Sequence, residues 1–223
     1  MKIFCVIPAY QEENNIKKVI NEVLDLVDFL IIVDDGSSDQ TYQVANEIIS
    51  DKLKVLQHPI NLGQGAALQT GNEYALKKGA DIIVHFDADG QFLSQEIKKL
   101  VTVLIEEDLD IVFGSRFLEI KSDLPPLKKN LIMPLARIFN RLFFGIKTSD
   151  PQSGFRVFKA RVASEIEIEN NRMAHCTEIL AKVHQKKLKM KEVAITVLYS
   201  EFGQKFSGSF KIIKDLFFKK ISK

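Results

Sequence analysis

Ile82-Ile83-Val84-His85-Phe86-Asp87-Ala88-Asp89-Gly90-Gln91 is an apolar run that passes, without a break, into two carboxylates and an amide. Side chains alternate along an extended chain, so Asp87 and Asp89 leave the mouth of a strand on the same side. Hard oxygen donors in this pattern suit Mg²⁺ or Mn²⁺, ions that also take oxygens from phosphorylated substrates. A plain strand-to-helix turn uses the same residue types. Metal binding at Asp87, Asp89 and Gln91, with a nucleotide diphosphate as substrate, is therefore an expectation to test against the rest of the chain.

On both sides of this stretch, β-rich runs alternate with helical patterns. Residues 3–8 read as a buried strand. Behind the polar Glu12-Glu13-Asn14-Asn15, residues Ile16, Val19, Ile20, Val23, Leu24 and Val27 then repeat at helical spacing. Further strands are expected over 29–33, 53–56, 81–86 and 110–113, with helices reaching to about 50 and over 63–78 and 95–107. This alternation predicts an α/β fold: a single domain with a mostly parallel central sheet and helices on both faces. Ligands of such sheets bind beyond the carboxyl ends of the strands. Pro8-Ala9-Tyr10, Asp34-Asp35-Gly36 and Asp87-Ala88-Asp89 all fall there. After Arg116 the alternation stops. Residues 117–129 read as a loop, 130–144 as a helix with Arg137 and Arg141 on one face, 176–185 as a helix, and 193–198 as a strand.

The 223 residues suffice for one substantial core, and a net charge of +2 gives no reason to expect a nucleic-acid partner. The charge is unevenly spread. Lysines dominate from Lys182 onward, opposed by Glu192, Glu201 and Asp215. Cys5 and Cys176 have neither metal-site spacing nor a disulfide framework, which suits a reducing compartment. The opening Lys2-Ile3-Phe4-Cys5-Val6-Ile7 reads as a core strand and not as a signal peptide. No apolar run reaches membrane-span length. Over 207–221, Phe210, Ile212, Ile213, Leu216, Phe217 and Ile221 share a face opposite Lys211, Lys214 and Lys219. That helix suits either an anionic bilayer surface or the protein body. The expectation is a cytoplasmic protein, with peripheral membrane contact left open.

Other polar groups have two readings each. Asp34-Asp35-Gly36-Ser37-Ser38-Asp39 is a capped turn, or a place where Asp35 accepts a ring N–H from a nucleotide base. Asn61-Leu62-Gly63-Gln64-Gly65 opens a helix but lacks the third glycine of a dinucleotide turn and the lysine of a phosphate-binding loop. Close backbone packing near a substrate explains it better. Arg116 after the fifth strand is a surface cation or a diphosphate clamp. Asp150 and Arg156 are a structural pair about a Gly154 turn, or part of a site. His58, His85, His175 and His184 show no ligand spacing and read as structural or surface residues.

Together these motifs resemble glycosyltransferase family 2, within it the polyprenyl- or dolichyl-phosphate mannosyl- and glucosyltransferases. The resemblance runs in order through residues 8–13, 34–39, 61–67, 87–91, 114–117 and 153–156. It implies the Rossmann-like GT-A fold, with a nucleotide-sugar half over about 1–116 and an acceptor half over about 117–206; the basic amphipathic helix read from charge and spacing takes up 207–223. It also implies a donor pocket lined by Pro8, Tyr10, Glu12, Asp35, Gly65, Asp87 and Ala88. Asp87, Asp89 and Gln91 would hold Mg²⁺ or Mn²⁺, Arg116 would steady the phosphates, and Asp150 and Arg156 would lie by the acceptor. Asp89, Arg116, Asp150 and Arg156 form the implied catalytic set. Gln11 replaces the family's usual Asn, Phe92 replaces a frequent His, and residues 199–205 resemble bacterial polysaccharide-synthesis members.

The implied reaction is inverting hexose transfer from a UDP- or GDP-sugar to a polyprenyl phosphate or a lipid-linked glycan, on its own or beside a membrane subunit. An alcohol acceptor needs a general base, with Asp150 the candidate, whereas an ionised phosphate need not have one. Transfer to a polysaccharide hydroxyl is the nearest alternative. A sugar nucleotidyltransferase would want a basic triphosphate loop where Gln11-Glu12-Glu13 stands, and a non-catalytic relative would not need Asp87, Asp89, Gln91 and Arg116 intact.

Overall fold

The computed structural model describes residues 1–118, 148–172 and 174–198. Strands β1 (Ile3–Ala9), β2 (Phe29–Asp34), β3 (Leu53–Gln57), β4 (Ile82–His85) and β5 (Ile111–Ser115) alternate with α1 (Ile16–Leu24), α2 (Thr41–Asn46), α3 (Gln64–Lys77) and α4 (Glu96–Glu106). Then follow β6 (Arg156–Lys159), α5 (Ala160–Glu165), α6 (His175–Gln185) and β7 (Met190–Ala194). The seven strands form one sheet in the order β3-β2-β1-β4-β6-β5-β7. All neighbours are parallel except β6, which runs antiparallel to β4 and β5.

Period-two alternation splits the core into two layers. Cys5, Ile7, Leu30, Ile32, Val84 and Val112 face α1 and α4, while Phe4, Val6, Ile31, Val33, Ile83 and Phe113 face α3 and α6. Each fully buried aliphatic side chain contributes roughly 1.5–3 kcal/mol. In α1, Ile16, Val19, Ile20 and Val23 form the buried stripe that its spacing predicts.

Three expectations need correction. The second helix stops at Asn46: the Ile48 N–H reaches back three residues to the Ala45 carbonyl in place of the helical four, and the Ser50 hydroxyl accepts the Lys52 N–H at the turn into β3. The last strand is Met190–Ala194 and not 193–198: β7 is an edge strand, where exposed Lys191 is tolerated. The apolar residues beyond it bend across the sheet mouth instead, where Val197 bridges Phe92 and the Leu198 N–H donates to the Gln91 carbonyl at 2.8 Å. Finally, β6 lies inside a segment with no expected strand. Its four residues are too few to show a period, yet they pair His85 directly with Arg156. The helices expected over 130–144 and 207–221 lie outside the described residues.

Candidate active site

The carboxyl ends of β1, β2, β4 and β5 meet at one edge and bring Glu12, Asp35, Asp87, Asp89 and Arg116 together. Tyr10 stands exposed at the rim, while Pro8 and Ala88 are buried beneath it. Gln11 adopts φ +58, a left-handed conformation that Asn tolerates better than most residues. Here Ser37 and Ser38 hold it, accepting its backbone and side-chain N–H groups.

The acids repel one another. Burial, then the neighbouring Asp89 charge, pushes the Asp87 carboxyl up to about 7. Burial also raises Asp89, against the opposing Gln91 N–H and Arg116 charge. Glu12 is raised by burial and by the charges of Asp89 and Asp39, with the Asn15 amide working the other way. Three carboxyls destabilised as anions are a place where a divalent cation is favourable. Among the described residues, no three His, Cys, Asp or Glu side chains make a closed metal cage. An open set of Asp87, Asp89 and Gln91 fits an ion that completes its shell with diphosphate oxygens.

Asp87 is held from two sides. The Gln64 amide donates to its Oδ1 at 3.0 Å. The bare Cα of Gly154 lies against its carboxylate so closely that any Cβ would overlap it. This, and not backbone curvature, is why glycine is needed at 154. Behind Asp87, Arg156, His175 and Cys176 form a buried polar group whose mutual contacts sequence reasoning missed. Arg156 is 1% exposed and donates to the Ser153 carbonyl and the Cys176 sulfur, not to Asp150. Burial works against it, yet His175 and Arg156 draw the Cys176 thiol down to about 6. Arg156 therefore lies beneath the site and not at its surface.

The expected Asp150–Arg156 pair is replaced by another. Arg116 forks onto Asp150, Nε to Oδ2 at 2.7 Å and Nη2 to Oδ1 at 2.8 Å, and its backbone N–H adds a third bond at 3.2 Å. Asp150 is delivered to this position by Glu192 of β7. The Glu192 carboxylate accepts the Thr148 and Ser149 hydroxyls and the Ser149 and Asp150 backbone N–H groups. A carboxylate 42 residues away has no local signal in the sequence.

The glycine-rich helix entry is occupied by protein. The Asn171 carbonyl accepts the Gly65 N–H at 2.9 Å, and the Asn170 and Asn171 carbonyls fill the space that side chains at Gly65 and Gly63 would need. Glu178 fixes this strap by accepting the Glu169 and Asn170 N–H groups. Gly65 thus serves packing, with its N–H already taken.

A parallel sheet with one reversed strand inserted at β6, and paired acids beyond β4, is the GT-A glycosyltransferase architecture. The chain belongs to glycosyl transferase family 2, whose family model matches residues 4–167, and it is a glycosyltransferase. It is 35% identical to the UDP-N-acetylglucosamine--dolichyl-phosphate N-acetylglucosaminyltransferase of Methanococcus voltae, over 99% of this chain and 97% of that one. It is 26% identical to the polyprenol monophosphomannose synthase of Mycolicibacterium smegmatis, over 92% of this chain and 80% of that one. Among solved structures, glucosyl-3-phosphoglycerate synthase from Mycobacterium tuberculosis, in complex with Mn²⁺, UDP and phosphoglyceric acid, superposes with a TM-score of 0.75. It covers 99% of this chain and 78% of that one at 18% identity, which bears on the fold.

Proposed function

We propose that the protein transfers a hexose, with inversion, from a UDP- or GDP-sugar to a polyprenyl phosphate. The state of Asp150 carries this reading. Both its oxygens accept hydrogen bonds from Arg116, so the base candidate expected from the sequence is committed to a cation. A hydroxyl acceptor needs a group to take its proton; a phosphate monoester arrives ionised. Relatives named for dolichyl or polyprenol phosphate support the same acceptor class.

In this reading Pro8, Tyr10, Glu12 and Asp35 line the nucleoside pocket, and Asp87 meets the ribose side. Asp87, Asp89 and Gln91 would hold Mg²⁺ or Mn²⁺, which supplies charge compensation for the departing diphosphate. Arg116, oriented by Asp150, would bring its positive charge to the same departing group. The acceptor oxygen attacks the anomeric carbon from the face opposite the leaving diphosphate. The sugar–diphosphate bond breaks as the new bond forms. Gln64 and Gly154 keep Asp87 aimed, and Arg156 offsets its charge from below. Residues 1–116 form the donor half and 117–206 the acceptor half. The basic, apolar-rich segment 207–223 would bring the enzyme to the cytoplasmic face of the membrane. Among the described residues, no helix is long and apolar enough to cross one.

The test supplies the full chain with Mn²⁺, radiolabelled UDP- and GDP-hexoses, and either a polyprenyl phosphate or a lipid-linked glycan. Product on the lipid phosphate, absent without metal, is expected. Transfer to a glycan hydroxyl alone would overturn the acceptor assignment.

A further inference from the structure

The base-facing corner of the site is already crowded with donors. Asp35 is 2% exposed, and three N–H groups point at its carboxylate. Oδ1 accepts His58 Nδ1 at 2.8 Å and the Leu62 backbone N–H at 3.0 Å. Oδ2 accepts the Gly63 N–H at 2.6 Å. A carboxylate accepts but cannot donate, so His58 carries its proton on Nδ1 here. Its Nε2 meets the Thr70 hydroxyl at 2.9 Å, and its own backbone N–H is spent on the Asp34 carbonyl. Thr70, His58 and Asp35 thus form one chain running from α3 to the pocket floor.

An ionised carboxylate has about four acceptor positions. Three are filled, and the one left is on Oδ2. Guanine offers a carboxylate two parallel donors, its ring N1–H and exocyclic N2–H, and needs both oxygens. Uracil offers a single ring N–H. We propose that His58, held by Thr70, occupies one oxygen of Asp35 so that the pocket reads a base with one N–H, selecting uridine over guanosine diphosphates. The loop fixes the choice further. Gly36 at φ +68 has Ile60 and Asn61 backbone atoms 2.5 and 2.7 Å from where a Cβ would stand, so the 58–63 segment cannot retreat without breaking that contact. A guanine seated here would leave one donor without an acceptor in a dry corner.

This inference rests on the donor reading above, and binding separates the two. Calorimetry on the full chain with Mn²⁺ and either UDP or GDP is expected to show UDP tighter by about tenfold or more. His58→Ala frees an acceptor position, and the preference should narrow to within about threefold. His58→Asn restores a donor near the place of Nδ1 and should restore the preference. A general loss of structure would weaken both nucleotides alike and leave their ratio unchanged. If His58→Ala does not fold, His58→Phe, which keeps a ring but offers Asp35 no N–H, is read in the same way. GDP binding as tightly as UDP, or a ratio indifferent to His58, overturns the selectivity and leaves the donor reading standing. Failure of both nucleotides to bind overturns both.

Discussion

Two acidic clusters sit at opposite ends of the same strands, and their chemistry is opposite. Before β5 and β7, Asp108 lies between Lys159 and Lys189, at 2.6 and 3.0 Å, and Asp110 pairs with Arg161. Hydrogen bonds from those two lysines, with their charges, hold the Asp108 carboxyl down at about 2. At the other end, burial and mutual repulsion push Asp87 up to about 7, with Asp89 and Glu12 raised beside it. The first cluster is complete in itself. The second is an unpaid electrostatic debt that a cation and a bound ligand can settle, and perturbation of that kind marks a working site. The same contrast places the basic bias of the C-terminal part: Lys182, Lys189 and Lys191 answer acids within the domain.

The largest effect should come from removing an acid at the unbalanced end. Asp89→Ala is expected to lower kcat/KM by about a thousandfold, a loss typical of deleting charge stabilisation at a leaving group. Its melting temperature should hold or rise, because a repelling charge has gone. Activity assays and calorimetry in the absence of metal check both halves. An active Asp89→Ala enzyme would put the metal elsewhere and dissolve the comparison.

Asp150 comes next, since at this edge it forms a two-point pair with a cation, Arg116. Asp150→Asn keeps the volume but offers the Arg116 fork one oxygen where there were two. Turnover should fall about tenfold, with stability lower by roughly 1–3 kcal/mol. A collapse of a thousandfold or more, recovered with an acceptor that arrives already ionised, would mean that Asp150 acts as a base on a hydroxyl.

How much of this was readable beforehand depends on the range of the interaction. The strands β1 to β5 and helices α1, α3 and α4 follow from local periods of two and 3.6, and the acids at the strand ends follow with them. Asp87, Asp89 and Arg116 were placed because each immediately follows a legible strand. Partners were not legible. Asp150 was assigned to Arg156, six residues on, whereas it binds Arg116, 34 residues back across the sheet. Glu192, Gln64 and His58 reach the site only through tertiary contacts. His58, read as a structural or surface residue, turns out to hold Asp35. Gly154 was read as a turn, yet its lack of a side chain makes room for Asp87, a reason that no local pattern expresses.

The two ends should also answer pH differently. Asp87 holds its proton more tightly folded than unfolded, where its value is 3.8. Its contribution to stability is therefore intact below about 4 and is lost as pH rises towards about 7. Asp108 runs the other way: its contribution is present above 3.8 and is lost as pH falls towards about 2. His85, buried neutral and held well below its usual value, favours the unfolded state in acid, so raw melting curves mix several groups. The difference between wild type and Asp87→Asn isolates one of them. In metal-free protein that difference should shift in the variant's favour as pH rises from 4 to 7, and Mn²⁺ with a nucleoside diphosphate should erase it. A difference that stays flat across the window would show that Asp87 is not destabilised as an anion.

The smallest effect belongs to Asp108 itself. Its side chain is 74% exposed, so water and salt already screen much of what Lys159 and Lys189 provide. Asp108→Asn should change kcat/KM by less than about twofold and melting by a degree or so at low salt, fading at high salt. The substitution is still informative, because Lys159 ends the strand whose other end is Arg156, beneath Asp87. If strand β6 carried strain between the two ends, loosening Lys159 would move Arg156 and change turnover. A short strand hydrogen-bonded to β4 on one side and β5 on the other has little freedom to slide, since any slip breaks two ladders at once. The two clusters should therefore be independent, and a double variant of Asp108→Asn with Asp150→Asn should show additive losses. Strong non-additivity in turnover would show that the balanced end tunes the unbalanced one through β6.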